Sequence, residues 1–257
     1  MQNIEFKKNL NIELPISSSN KQLEMIWLNS GTFCMGYNET PKLILHDRSF
    51  EMTLSKGFWL GKFMITQVQW QAVMGGNPSI QKGDDLPVDC ISWSDASIFC
   101  EKLNFQNKNI LPSGYKFSLP TEAQWEYACR AKTQLKNYSG NDPEDTLKIA
   151  WCLNNSENQL HEVGLKEPNL WGFYDMFGNL YEWCFDMITD YPLGKETDWI
   201  GLTKLGFDGG CSRIIRGGCY LDSVTDDAFS SAGRPYVDSD IQQTGQGFRL
   251  SLRTVDP

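Results

Sequence analysis

The sequence predicts a single α+β domain with little regular secondary structure, on three observations. Two runs rich in β-type and aromatic residues stand near the N-terminus, at 25–36 and 58–66. Three segments between 66 and 130 carry helical spacing together with start and stop signals. From Leu135 onward the periodicity fades into loops punctuated by glycine and aromatic residues.

In chain order, residues 1–22 are polar and are expected to form a partly disordered arm, with the domain itself over 23–257. "MIWLNSGTFCMG" (Met25 to Gly36) and "FWLGKFMIT" (Phe58 to Thr66) read as strands. Thr66 then opens a helix in which Val68, Trp70, Val73 and Met74 form a broad apolar face, and Gly75-Gly76 stops it. In "SWSDASIFCEKLNFQN", Ser92 or Ser94 caps a second helix whose Ala96, Phe99, Cys100 and Leu103 recur at core-facing spacing. In "SLPTEAQWEYACRAKT", Thr121 is the cap and Gln124, three residues later, completes a capping box; Trp125, Ala128 and Cys129 face inward. Beyond Leu135 only "GNLYEWCFD" and "SRIIRGGCY" read as strand-like islands. Long irregular stretches in a compact domain mark a binding or catalytic surface, or loops held by a ligand such as a metal ion.

Composition narrows the function. A chain of 257 residues, 40% hydrophobic and 21% charged, can bury a sizeable core. Its net charge of -9, without a Lys/Arg cluster, argues against nucleic acid as a partner. No apolar run reaches the roughly 18 residues of a membrane span, and no basic-then-apolar leader pattern is visible. The eight cysteines contain no C-x-x-C, so neither a zinc site nor a dense disulfide framework is signalled, and Cys100, Cys129 and Cys184 read as buried thiols. Only His46 and His161 are present, which excludes a three-histidine metal centre; both read as surface or satisfied polar groups. Any metal must use oxygen or sulfur.

Seven blocks then occur in order: "GTFCMG" (31–36), "FMITQVQW" (63–70), "LPVDCISWSDASIFCEKLN" (86–104), "FSLPTEAQWEYACR" (117–130), "GFYDMFGNLYEWCFD" (172–186), "RIIRGGCY" (213–220) and "GFRL" (247–250). Together they resemble the formylglycine-generating-enzyme/sulfatase-modifying factor family, whose fold is a C-type-lectin variant. The resemblance implies a fold shared by oxidases, ergothioneine-type synthases and non-catalytic binding modules, so the site must decide the function. Aerobic oxidases of the family carry two cysteines, five apart, after an R/K-G-G-S-Y block; their thiolates bind copper(I) and attack substrate. Here those positions hold Asp222 and Asp227, and carboxylates neither hold copper(I) nor form a mixed disulfide. Cys219 stands three residues too early to replace the pair. Neither copper nor catalysis is expected, and a formylglycine-generating oxidase is the alternative.

The resemblance also implies a structural calcium ion held by the Asp175 and Glu182 side chains with the Gly178 and Leu180 carbonyls, a set of hard oxygens suited to that ion. The competing reading has Asp175 capping a turn and Glu182 paired with an arginine such as Arg249. The triplet Glu167-Pro168-Asn169 matches the mannose-reading motif of calcium-dependent lectins, but Trp183 is followed by Cys-Phe-Asp instead of the partner block, so sugar binding is not expected.

The stretch 216–250 is framed by Arg216-Gly217-Gly218 and Gly247-Phe248-Arg249, residues expected to hold the scaffold. Its interior mixes aromatic anchors with Asp and Ser, as paratopes do. It resembles the C-terminal variable regions of treponeme-type proteins diversified by retroelements that rewrite adenine-containing codons, usually those of Asn, and Asn is absent from 219–246. The candidate varied, ligand-contacting positions are Cys219, Tyr220, Leu221, Asp222, Asp226, Asp227, Phe229, Pro235, Tyr236, Val237, Asp238, Ser239, Asp240 and Ile241. Tyr220, Asp222, Asp227, Phe229 and Tyr236 are expected to project outward. The implied role is a non-catalytic, receptor-like protein that binds an unknown protein or surface ligand and is displayed on the cell surface by a lipid anchor. A pseudoenzyme whose loop drifted after losing its cysteines is the other non-catalytic reading.

Overall fold

Side-chain caps set the helix starts. Thr66, Ser92 and Thr121 each accept the backbone N–H three residues on, while Gln69, Asp95 and Gln124 reach back to the cap's own N–H. These close α1 (Gln67–Met74), α2 (Trp93–Asn107) and α3 (Glu122–Arg130) at their N-termini. Gly75, at φ 87°, ends α1 in the left-handed region that glycine enters freely. A fourth helix, α4 (Pro143–Ile149), opens with proline in its first turn and was not expected from the sequence. The computed structural model describes residues 9–13, 22–37, 48–201 and 212–254.

The largest sheet is antiparallel and runs in the order β1 (Leu10–Glu13), β2 (Gln22–Leu28), β5 (Phe58–Gly61), β14 (Ser251–Thr254), β6 (Tyr115–Ser118). A three-stranded sheet holds β10 (Lys195–Thr197), β4 (Phe50–Leu54) and β3 (Gly31–Met35). A four-stranded sheet runs β12 (Tyr236–Asp238), β11 (Ser212–Arg216), β9 (Tyr181–Met187), β13 (Gln246–Gly247). The short pair β7 (Ala150–Trp151) and β8 (Phe177–Gly178) completes the strands among the described residues.

Two expectations change. The single strand at 25–36 is two strands in different sheets, because Asn29-Ser30-Gly31 supplies turn residues between them. The arm at 1–22 is not wholly outside the domain: Leu10–Glu13 pairs with β2 and buries Ile12, while 1–8 and 14–21 lie outside the described residues, as do His46 and Cys211.

The apolar residues gather in two main clusters. One, under α1, α2 and the largest sheet, stacks Trp70 on Phe99 at 5.4 Å, with Phe248 edge-on to both. The other centres on Trp125, Phe173, Phe177 and Phe229. The seven described cysteines are free thiols, and Cys100, Cys129, Cys152, Cys184 and Cys219 are buried.

Candidate recognition surface

Three arginines from the C-terminal segment fix its course. Arg216 is fully buried, its Nη2 donating to Glu126 and its Nη1 to the carbonyls of Ser231, at 3.0 Å, and Gly233. Its Nε lies 3.4 Å from Glu122. Arg234 donates to both Glu122 oxygens, at 2.6 and 3.0 Å, and lies over the Tyr191 ring. Burial works against a charge on Glu122, but Arg234 and Arg216 outweigh it and hold its carboxyl below the ordinary range. Two glycines permit the turn into this region. A Cβ on Gly217 would come 2.9 Å from the Met176 carbonyl, one on Gly218 would press on the Phe229 ring, and both residues have positive φ.

This anchoring divides the segment. Phe229 is enclosed in the second cluster and Tyr220 is buried, so neither projects outward as expected, and Cys219, a candidate ligand-contacting position, is buried as well. Tyr220 packs with Met64, Leu160 and Leu180, and its backbone bonds to Asn179 and Ser156. Asp222 Oδ2 accepts the Cys219 N–H at 2.9 Å and the carboxylate takes a hydrogen bond from Tyr181, so it holds a turn instead of standing free. Asp226 does the same for the Ser223 N–H at 2.9 Å. The reason is long-range: Arg216 holds the Ser231 and Gly233 carbonyls, drawing in the chain between.

Past Arg234 the chain emerges. In β12 Tyr236 and Asp238 face solvent while Val237 packs on the first cluster, the alternation of a half-buried edge strand. Asp238 Oδ1 accepts the Asp240 N–H and its carbonyl that of Ile241, forming an exposed turn. The Ser239 carbonyl accepts the Trp93 N–H, which docks this turn on α2. Pro235 and Ser239 are half-buried; Leu221, Asp226, Asp227, Asp240 and Ile241 are exposed.

No described group resembles an activated nucleophile. Burial, then the neighbouring Asp222 charge, pushes the Cys219 thiol up to about 12. His161 stacks on Trp151 at 3.6 Å and bonds the Ser156 carbonyl. Asn169 of the lectin-like triplet is buried, donating to the Ala128 and Cys129 carbonyls and accepting from the Trp171 and Phe173 N–H groups.

The calcium ligands require one correction. Glu182 is not an open ligand: its two oxygens receive Arg249 Nε at 2.6 Å and Nη2 at 2.7 Å, the pairing held as the competing reading. Arg249 also donates to the carbonyls of Gly61, Lys62, Tyr174 and Asp175, tying two segments, 61–62 and 174–175, to β9. Asp175 stands differently. Its Oδ2 accepts the Gly164 N–H at 2.7 Å, but its Oδ1 is buried without a partner, and its φ of 52° lies in the left-handed region. Burial raises its carboxyl to about 6, with Glu182 adding to the rise. The Glu182 carboxylate thus takes the guanidinium, which meets Asp175 only through its main-chain carbonyl, and the Asp175 Oδ1 is left as the one side-chain oxygen here without a partner. Among the described residues no cluster of three or more His, Cys, Asp or Glu side chains exists, so main-chain carbonyls such as those of Gly178 and Leu180 would complete the set.

The sequence reading missed Arg234 and the buried acids that face the arginines. Glu122, Glu126 and Arg130 at four-residue spacing in "TEAQWEYACR" were the available signal. Asp186 had none. It is buried, accepts the Glu122 and Gly201 N–H groups, and is raised to about 7, chiefly by burial.

An arginine-clamped, loop-rich α+β scaffold of this kind is that of the C-type-lectin-like formylglycine-generating-enzyme type. The chain belongs to the sulfatase-modifying factor enzyme 1-like domain family, whose model matches residues 13–254. It is 29% identical to the chaperone protein LppX of Paenibacillus barcinonensis, over 88% of each chain. It is 28% identical to the formylglycine-generating enzyme of Streptomyces coelicolor over 73% of this chain, spanning 59% of that enzyme's length. Among solved structures, Treponema denticola variable protein 1 matches with a TM-score of 0.83 and 25% identity, covering 95% of this chain and 99% of that one. Among the described residues no helix is long and apolar enough to cross a membrane.

Proposed function

We propose that the chain is a non-catalytic binding protein that presents a recognition surface, formed mainly by residues 235–242, at the cell surface. One observation carries the reading: Asp222 and Asp227 stand where the family's oxidases have thiolates, and Asp222 is committed to a turn. A thiol at Cys219 raised to about 12 supplies no thiolate at neutral pH. The likeness to a variable protein supports display of a changing surface, with retroelement-driven variation concentrated at the exposed positions Leu221, Asp226, Asp227, Tyr236, Asp238, Asp240 and Ile241. A template repeat and a reverse-transcriptase gene beside the locus would accompany such variation; their absence would favour a drifted pseudoenzyme.

The competing activity is tested directly. The purified chain, given copper(I) and a Cys-x-Pro-x-Arg peptide under air, is expected to leave the cysteine unconverted. Conversion that disappears in Cys219→Ser would overturn the reading.

A structural calcium ion belongs to the same proposal. Asp175, through its unpartnered oxygen, and the Gly178 and Leu180 carbonyls would hold it, with Glu182 adding negative charge; the ion would supply the missing positive charge and pin the loop. Calcium is expected to raise the melting temperature with a concentration-dependent midpoint, and Asp175→Asn to abolish the rise. Superimposable melting curves in calcium and chelator would remove the ion from the reading.

A further inference from the structure

Beside the outer part of the C-terminal segment lies a cleft of about 360 Å³ that the segment only borders. Its apolar wall is built by Trp70 and Met74 from α1, Pro78 from the loop that follows, and Ile91 just before α2, with Asn77, Cys90 and Asp95 lining the rest. Gln242 forms one side and donates from Nε2 to Asp95 Oδ2 at 2.7 Å, which joins the cleft to the exposed turn at 238–241.

The ionisable groups that α2 and the C-terminal turn present to it are acidic. Burial opposes ionisation of Asp95, but hydrogen bonds from Ser92 and Gln242 prevail and hold its carboxyl below the ordinary range. Asp238 and Asp240 stand exposed on the adjoining turn. Among the described residues lining the cleft there is no Lys or Arg; Lys82, outside the lining, keeps its charge and donates to the Asn77 carbonyl at 2.8 Å.

We propose that this cleft is the anchor pocket of the recognition surface, receiving a bulky apolar side chain from a protein partner that carries a Lys or Arg within two residues. The proposal rests on the binding-protein reading and specifies its partner. An apolar side chain seated in a walled cleft and ringed by polar contacts is the usual form of an interface hot spot. The neighbouring cation, set against Asp95, Asp238 and Asp240, fixes orientation and speeds encounter. Because the walls come from α1, α2 and their connection, the pocket keeps its shape when the turn beside it changes sequence. A constant anchor then sits next to a variable rim.

The test uses the full chain, immobilised, against a phage-displayed random heptapeptide library. Enriched peptides are expected to pair Leu, Ile, Met, Phe or Trp with Lys or Arg within two positions, and a synthetic copy to bind less tightly as salt rises. Gly76 lines the cleft, has no left-handed φ, and a Cβ there meets nothing within 4 Å, so Gly76→Trp can fill the cleft without straining the backbone. That variant should bind the peptide at least about tenfold more weakly at an unchanged melting temperature. Asp238→Asn with Asp240→Asn keeps an acceptor for the turn and should remove most of the salt dependence. If Gly76→Trp binds as the parent does while Tyr236→Ala does not, the pocket is wrong and the recognition surface stands. If neither variant loses binding, both fall. Enrichment of no peptide above a heat-unfolded control, or of peptides without the pairing, also overturns the pocket.

Discussion

Between Gly218 and Gly247 the chain contains two stretches that set aromatic residues among aspartates and serines, 219–233 with Tyr220 and Phe229 and 235–244 with Tyr236. Phe229 of the first is fully enclosed, whereas Tyr236 of the second is 56% exposed. Side-chain chemistry does not separate them. What separates them is where the backbone is held: Arg216 grips the carbonyls of Ser231 and Gly233, and Arg234, paired with Glu122, marks the exit from the core. The outer stretch is tied by a three-residue ladder to β11 and by the Ser239 carbonyl on α2. A buried guanidinium bonded to main-chain carbonyls fixes the path of the inner stretch and draws Phe229 into the core, while Leu221, Asp226 and Asp227 of that stretch stay exposed with most of the outer one.

The sharpest break of this comparison is in the inner stretch. Phe229→Ala is expected to cost about 3–5 kcal/mol in urea denaturation, through lost burial and the cavity left against Gly218. Arg216→Met should cost a similar amount, about 3–5 kcal/mol, because it leaves one oxygen of buried Glu126 and the Ser231 and Gly233 carbonyls without their donor, although Arg130 and the Gly36 N–H still hold the other Glu126 oxygen. Phe229→Leu, a smaller change, keeps the test readable if the alanine variant does not fold. A loss below about 1 kcal/mol in all three would show that the inner stretch is not core. Asp222→Ala comes next, at about 1–3 kcal/mol, since it strips an acceptor from the Cys219 N–H and from Tyr181; Asp222→Asn should recover part of that loss.

How far the sequence was legible follows the same division between local and distant causes. Thr66, Ser92 and Thr121 were readable as caps because a cap and its partner lie three residues apart. The pairing of Arg234 with Glu122 spans 112 residues and leaves no periodic trace. Phe229 and Tyr236 looked alike because burial here is set by that distant pairing and not by alternation. At Asp175 and Glu182 the arginine took Glu182, the competing reading, while Asp175 kept an unpartnered oxygen. β1 and α4 were missed because the first is a four-residue edge strand in a polar stretch and the second has barely two turns.

The segment's far frame, at Arg249, gives a pH-dependent test. Without calcium, the Asp175 carboxyl is raised from 3.8 to about 6 by burial, with the Gly164 N–H and Arg249 opposing and Glu182 adding to the rise. The folded state therefore binds the proton more tightly than the unfolded chain does. The associated stability is complete below about pH 4 and is lost as pH rises through about 6, on the order of 3 kcal/mol in all. In chelator, the melting temperature of Asp175→Asn is expected to exceed the parent's at pH 8 and to converge with it near pH 4. Asp186, raised to about 7, keeps a residual slope in both proteins. With calcium the sign reverses for the parent alone, because the ion selects the carboxylate. Parallel stability profiles for the two proteins in chelator would refute the assignment to Asp175.

The smallest effect belongs to the outer stretch and is the most exacting test of the comparison. Tyr236 and Asp238 face solvent from an edge strand, and Ile241 lies on the turn beyond. Tyr236→Ala, Asp238→Asn and Ile241→Ala should each change the unfolding free energy by no more than about 0.5 kcal/mol, since each leaves the ladder to β11 and the turn's acceptors in place. Phe229 packs in the second cluster and none of these three side chains does, so adding Phe229→Ala to the triple variant should reproduce the cost of Phe229→Ala alone. The same triple variant should lose affinity for the heptapeptide selected on the parent, because Tyr236 and Ile241 supply the apolar rim of the surface and Asp238 its charge. Full retention of binding together with a large drop in stability would reverse the roles of the two stretches, making the outer one structural and leaving the recognition surface to be sought elsewhere.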